Sequence, residues 1–444
     1  MNNRTITDVV KDGLCTGCGT CVSMCPKNAI KLEINEAKGI YEPEIDKTKC
    51  NNCGICYDVC PGHSVNFQSL NKKIFGKPPK NYLIGNFLNV YIGHSADRNI
   101  RYKSSSSGLI TQLLICAMNK GIINGALVTR MKKNKPTEPE SFVARSEEEI
   151  IEAMGSKYCP VPTNIMLKEI IKSGKEEKFA VVGLPCHIHG VRKAEMLNPK
   201  LKEKIVLHFG LFCGHAPNFL GTMILLNKLK LKVNNIAKFN YRGNGWPGQM
   251  EIITKKRKEP RKVIPLWTLW NLIGSPFFYS SRCLMCIDGL AELADISFGD
   301  AWLPELKKDS LGSSLIISRS TEGEKLLLEC LKDDMIKLKK TDWEKVVEAQ
   351  LKMLYIKKKT SFGANKLFRR VPEYHITYNI APNLIDYLLL IYIYLNSKIA
   401  RSIIIRKLLS NLPNSLIDAY LLPYQILLSK ASHKLLKNID KHTK

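Results

Sequence analysis

Eight cysteines near the start of the chain have the type and spacing for one specific chemistry. Cys15, Cys18, Cys21 and Cys25-Pro26 recur 35 residues later as Cys50, Cys53, Cys56 and Cys60-Pro61. Both copies read C-x2-C-x2-C-x3-C-P, a spacing that holds two [4Fe–4S] clusters. Three thiolates on one tight loop reach one cube, and the fourth Cys, past the loop, reaches the other. This predicts one cluster on Cys15, Cys18, Cys21 and Cys60, and a second on Cys50, Cys53, Cys56 and Cys25. Gly17, Gly19 and Gly54 suit loops that wrap closely around a cluster. Zinc is the competing reading, and eight thiolates in a doubled spacing weigh against it.

Seven cysteines remain. Cys116 and Cys330 fall in amphipathic helical patterns and read as core thiols, and Cys159 is also taken as a plain thiol. Leu-Pro-Cys186, Phe-Cys213-Gly and Arg-Cys283-x-x-Cys286 have loop-like surroundings. Four such thiols can close a third cluster. A dithiol redox pair at Cys283/Cys286 is the rival. Four histidines nearby (His187, His189, His208, His215) keep a mixed zinc site open.

These groups need elements to position them. The chain has 444 residues, enough for about three domains. An apolar content of 45% excludes a disordered polyelectrolyte. The opening residues 1–13 are polar and lack an apolar h-region, so no secretory signal is expected, and a cytoplasmic location follows. Fifteen cysteines in such a chain argue for metal ligation rather than disulfides. The net charge is +27, yet residues 1–60 hold seven basic and eight acidic side chains, leaving +28 to the rest. A small, near-neutral Cys-rich module is therefore joined to a large basic body. Residues 71–81 (NKKIFGKPPKN) read as a basic linker.

Beyond it helix and strand patterns alternate. Residues 109–119, 147–154, 163–172 and 217–230 read as helices, and 126–131, 179–182 and 204–212 as strands. That alternation predicts an α/β body with a partly parallel sheet. Gly243, Gly245 and Gly248 satisfy G-x-G-x-x-G, but Pro247 removes a donor and 250–254 reads as a strand. A turn between two strands is the better account, so no Rossmann domain is predicted.

At its motifs the body resembles the coenzyme F420 hydrogenase/dehydrogenase beta-subunit family. The matching stretches are 104–108 with the following helix and GALV, 155–158 (GSKY), 182–192 (VGLPCHIHGVR), Phe212-Cys213-Gly214, 241–248 (YRGNGWPG) and 282–302 (RCLMCIDGLAELADISFGDAW). They span about residues 85–305 in family order, and members often carry an N-terminal two-cluster ferredoxin module. This chain departs from the pattern in its Ser run near position 107 and in Cys159. The resemblance implies an α+β ferredoxin-like module (1–68), a linker (69–84), an α/β mixed-sheet, non-Rossmann flavoprotein body (85–355) and a helical extension (356–444). It also implies FAD, which takes electrons as hydride and releases them singly to clusters, with coenzyme F420 as co-substrate. A third [4Fe–4S] cluster is then expected on Cys186, Cys213, Cys283 and Cys286. Ser105, Ser107, Gly108 and Ser156 are expected at the cofactor. Lys157 is the expected catalytic cation, and Asp300, with Asp295, is expected to orient loop and cofactor.

The expected function is an iron–sulfur flavoprotein oxidoreductase, with two rivals. One is a non-catalytic electron-transfer subunit of a larger complex, the other a reductase acting on a biosynthetic substrate without F420. Expected partners are a redox protein or small-molecule acceptor and anionic coenzymes, which give the basic body a use. Nucleic acid is not expected, since no reader motif is present. Residues 375–397 contain a single formal charge, but Asn379, Pro382, Asn383, Asp386 and Asn396 interrupt them, leaving 387–395 too short to span a bilayer. Residues 396–444 carry +7 among Ile/Leu patches, including Leu435-Leu436. Peripheral contact with the membrane inner surface is a further expectation.

Overall fold

The computed structural model describes residues 4–79, 81–255, 261–378 and 380–436. Residues 1–3 of the opening stretch, Lys80 of the linker, Asn379, and residues 437–444 of the basic extension lie outside these. Nothing is described of the Leu436 side chain.

An eight-stranded mixed sheet forms the centre of the body. Its spatial order is Ile336–Thr341, Asn89–Ser95, Ser314–Ser318, Ile296–Asp300, Ile205–Leu211, Phe179–Gly183, Gly125–Met131, Pro139–Ala144. The middle four strands run parallel, and antiparallel strands close both sides. Central parallel strands are covered on both faces, so they read as apolar runs rather than alternations. Phe179, Ala180 and Val181 are fully buried accordingly. One face is packed by Leu109–Asn119 and Thr321–Lys332 through Leu113, Leu114, Leu326 and Leu327. The other is packed by Leu167–Lys172, Pro185–Leu197 and Pro199–Lys204 through Leu167, Ile170, Val191 and Leu201.

The Gly243–Gly248 stretch is a turn between the antiparallel strands Ile236–Gly243 and Gln249–Thr254, as its sequence predicts. Two other readings change. Cys116 and Cys330 are bonded to each other, with Cα atoms 6.4 Å apart. Their helices lie side by side on one sheet face, a juxtaposition hidden by a separation of 214 residues. The stretch read as a linker begins as helix Phe67–Phe75. Asn66 caps it by accepting from Ser69 N–H, and Asn71 is buried, donating to the Phe67 carbonyl and accepting from Asn86.

The Cys-rich module has helices Ile6–Lys11, Thr20–Met24 and Ile55–Asp58 and the hairpin Ile30–Asn35/Ile40–Ile45. It is packed tightly on the body. Asn164 N–H donates to the Cys18 carbonyl (2.9 Å), and the Asn164 side chain donates to Thr20 Oγ1 (2.8 Å) and the His187 carbonyl (2.9 Å). A Cβ on Gly190 would lie 2.2 Å from Thr20 Oγ1. The extension returns to the module as well, since Glu373–His375 pairs in parallel with Ser64–Asn66. Three helices follow: Leu384–Ile399, Ile403–Asn411 and Asn414–Leu436. Among the described residues no single helix is long and apolar enough to cross a membrane.

Candidate functional site

The repeat in the sequence is a repeat in backbone geometry. Gly17 and Asn52, at equivalent positions, have φ of +69° and +54°, and Gly19 and Gly54 have +85° and +77°. These left-handed residues wind each loop back on itself. Gly17 N–H meets Cys15 Sγ and Asn52 N–H meets Cys50 Sγ, both at 3.4 Å. Ala29 N–H meets Cys25 Sγ and Gly62 N–H meets Cys60 Sγ, both at 3.3 Å. Such bonds stabilise negative charge on sulfur, as a cluster ligand requires.

The thiols also sort into sets. Burial pushes Cys21 well up, followed by the charges of Cys18, Cys60 and Cys15. Burial raises Cys60 to about 11, with Cys18 next. Cys56 is raised by burial and then by Cys53, Cys25 and Cys50. The leading neighbours of these three thiols follow the crossed assignment, in which the fourth Cys of one motif joins the first three of the other, and Cys56 also stands near Cys21.

In the body, Cys186 follows strand Phe179–Gly183 at the start of helix Pro185–Leu197, and Cys213 follows strand Ile205–Leu211. Cys283 and Cys286 flank the end of the short helix Ser281–Leu284. Cys186 is driven well up by burial and then by Cys18, Cys213, Cys286 and Cys283. Burial takes Cys213 to about 12, opposed by the buried Lys357. Lys357 donates to the Cys283 carbonyl at 3.0 Å. Cys186 thus neighbours the other three body thiols and Cys18 of the module, while Lys357 lies beside Cys213, Cys283 and Cys286.

The histidines have other work. His189 Nε2 is 2.8 Å from Asp288, and His208 lies between Asp295 (2.8 Å) and Glu195 (2.7 Å). His187 Nδ1 accepts from Leu184 N–H. Among the described residues no three His, Cys, Asp or Glu side chains converge as a single metal ion requires.

Next to Cys213 a cleft of about 1010 Å³ opens at the carboxyl ends of the parallel strands, where open α/β sheets hold ligands. In its lining, the loop 104–108 enters helix Leu109–Asn119, whose N-terminus has no side-chain cap. Free N–H groups and the positive helix end suit a pyrophosphate. Tyr158, Trp270, His215 and Cys213 also line the cleft. His215 is stacked on Tyr279 (3.5 Å), and its buried Nε2 has no partner. That orphaned nitrogen, the anion-seeking helix end and the aromatic side chains of the lining together fit a dinucleotide flavin.

The expected cofactor residues all line this cleft, but several make internal bonds. Ser105 Oγ donates to the Arg242 carbonyl (3.1 Å) and accepts from Ser156 N–H (2.6 Å). Ser107 Oγ is 2.6 Å from Ser314 Oγ. Asp300 holds Arg242 in a two-bond pair (2.7 and 3.0 Å) and accepts from Trp246 Nε1. Asp295 lies elsewhere, with His208 and Arg192. Lys157 donates to the Ala153, Met154 and Gly155 carbonyls, and burial lowers its pKa to about 7. Arg242 and Lys357 escaped the sequence reading as site residues, and His215 entered it only as a candidate zinc ligand. Arg242 and His215 sit in or beside quoted motifs, whereas nothing around Lys357 signals its position.

Comparison with known proteins follows these boundaries. Residues 90–168 match the family model for the coenzyme F420 hydrogenase/dehydrogenase beta subunit N-term, and residues 176–344 that for its C terminus. Residues 14–63 match a 4Fe-4S dicluster domain. The coenzyme F420 hydrogenase subunit beta of Methanothermobacter thermautotrophicus is 28% identical over 296 residues, covering 65% of this chain and 97% of that protein. An F(420)H(2) dehydrogenase subunit of Methanosarcina mazei is 26% identical, covering 74% and 86%. A chain of the solved F420-reducing [NiFe] hydrogenase complex from Methanosarcina barkeri shares the fold, with a TM-score of 0.51 at 23% identity, over 65% of this chain and 97% of that one.

Proposed function

The chain belongs to the coenzyme F420 hydrogenase/dehydrogenase beta-subunit family, and on that premise we propose that it is an iron–sulfur flavoprotein oxidoreductase that exchanges hydride with coenzyme F420 and single electrons with a partner. One observation carries the reading. Cys213 lines the cleft and belongs to a four-thiol set, and that set adjoins Cys18 of the dicluster module.

FAD, when bound, supplies the change from two-electron to one-electron chemistry. The chain's residues do the rest. The start of helix Leu109–Asn119 binds the pyrophosphate. Ser105 and Asp300 hold Arg242 and the 155–158 segment in place along the cleft. His215 offers Nε2 to the ring system. Lys157, poised at about 7, can gain or lose a proton at Nζ near neutrality. Twelve cysteines (15, 18, 21, 60; 50, 53, 56, 25; 186, 213, 283, 286) would hold three clusters, which supply one-electron chemistry.

The relatives named as subunits support a second reading, in which the chain transfers electrons only within a complex. Anaerobic reconstitution of the isolated chain separates the two. The enzyme reading expects bound FAD, about twelve irons per chain, and bleaching of flavin and clusters by reduced F420. A chain that retains flavin and clusters yet is reduced by no hydride donor is an electron-transfer subunit.

A further inference from the structure

The exposed apolar side chains of this protein are concentrated in its last three helices. Among the described residues, twelve of twenty-one exposed large hydrophobics lie from Leu384 onward. Helix Leu384–Ile399 has two apolar faces. Leu389, Leu390 and Ile393 are buried on the body, and Asp386 is fully buried, accepting from Thr360 Oγ1. The opposite stripe, Leu384, Leu388, Ile391, Leu395 and Ile399, recurs every three or four residues and faces outward. The outer face of a docked surface helix is ordinarily polar, so this stripe points to a contact. The chain then bends by 97° into Ile403–Asn411. At the corner Ile403 and Ile404 are 64% and 77% exposed. Helix Asn414–Leu436 adds Leu416, Tyr420 and Ile426.

The charges around this surface are nearly all of one sign. Lys398, Arg406, Lys407, Lys430 and Lys434 lie on these helices against the exposed Asp418, while Arg401 turns inward and donates to Ser281. Apolar side chains that can enter the headgroup boundary, rimmed by cations, are the combination that lies on an anionic bilayer. A second copy placed face to face would set five cations against five. The 16-residue first helix alone is short of the roughly 20 residues of a span, and one of its faces is held by the body, which favours a course along the surface.

We propose that the surface formed by these three helices docks peripherally on an anionic lipid bilayer, with Ile403 and Ile404 entering the headgroup–acyl boundary and the flanking Lys and Arg meeting lipid phosphates. Leu421, Tyr424 and Leu428 of the third helix also wall the cleft, so docking surface and cleft share one helix.

The test uses the full chain, anaerobically reconstituted, in co-sedimentation with vesicles of phosphatidylcholine alone or with about 30% phosphatidylglycerol. The expected result is at least ten-fold stronger partition onto the anionic vesicles, reversed by high salt. Ile403→Asp/Ile404→Asp should lower it at least ten-fold with iron content and circular dichroism unchanged. Lys398→Glu/Lys407→Glu should remove the preference for anionic lipid. Equal partition of the parent and Asp variants overturns the proposal, as does absence of binding to either vesicle. A stable dimer in light scattering that the Asp variants dissolve also overturns it, since the surface is then an interface between copies.

Discussion

Replacing Lys357 by Met tests whether the body thiols hold a cluster. Lys357 is fully buried, and burial works against its charge. The sulfurs of Cys286, Cys283 and Cys213 outweigh that effect and raise its pKa. Its ammonium is 3.0 Å from the carbonyl of Cys283, and a charge separation of about 6 Å is taken as the working value. At an effective dielectric of about 20, a unit charge at that distance is worth about 3 kcal/mol. A four-thiolate [4Fe–4S] cluster becomes more negative on reduction, so the cation favours the reduced form. At about 59 mV per tenfold for one electron, Lys357→Met should lower the potential of the body cluster by about 120 mV. Met fills similar space without charge, so iron content should hold. The assay is an EPR-monitored reductive titration, with the cluster of Cys50, Cys53 and Cys56 as internal reference. A shift below about 30 mV, or an upward shift, with iron unchanged refutes the placement of a cluster beside Lys357.

Cys283→Ser/Cys286→Ser should lower iron from about twelve to about eight per chain while the signals of the module persist; an unchanged count removes these two as ligands. Gly190→Ala should loosen the module, because the new Cβ would sit 2.2 Å from Thr20 Oγ1. Freeze-quench EPR should then find slower reduction of the module's clusters with normal reduction of the body cluster, and equal rates for both would reject the route through this contact. His208 has a raised pKa: burial and Arg192 oppose its charge, but Glu195 and Asp295 prevail. Its contribution is full below the unfolded value near 6.5 and is lost as pH rises toward the folded value, by up to about 1.4 kcal/mol per unit. In urea titrations the deficit of His208→Gln relative to the parent should therefore be greatest near pH 6 and shrink toward pH 8, and a deficit that grows with pH rejects a protonated His208.

What could be read beforehand was chemistry with a local period. The doubled cysteine spacing is such a signal, because each loop's winding depends on a few adjacent residues. Gly17, Gly19 and Gly54 accordingly adopt the left-handed angles expected of them. The turn at Gly243–Gly248 was legible for the same reason, since Pro247 and the strand after it are local facts. The disulfide between Cys116 and Cys330 was not, because it depends on two helices settling side by side on one sheet face. The cleft falls between these cases. Its residues were named from motifs, but Ser105, Ser107 and Asp300 proved to bond to other residues of the chain. The free donors are the helix end and His215, whose orphaned nitrogen becomes visible only when its partners are counted.

Packing also makes the two halves of the cysteine repeat unequal. Their spacing is identical, yet Cys18 is buried beside Cys186, whereas its counterpart Cys53 is exposed. One half faces inward because the body supplies Asn164 and the cavity over Gly190 to receive Thr20. The loop around Cys53 has no such cover, with Asn51 and Asn52 exposed beside it. If each half holds a cluster, the inner one lies next to the four body thiols and the outer one lies at solvent. The body thiols, the inner cluster and the outer one would then stand in that order, with Cys21 and Cys56 as neighbours between the last two. Two loops of identical spacing are thus packed unequally, through contacts that the spacing does not encode.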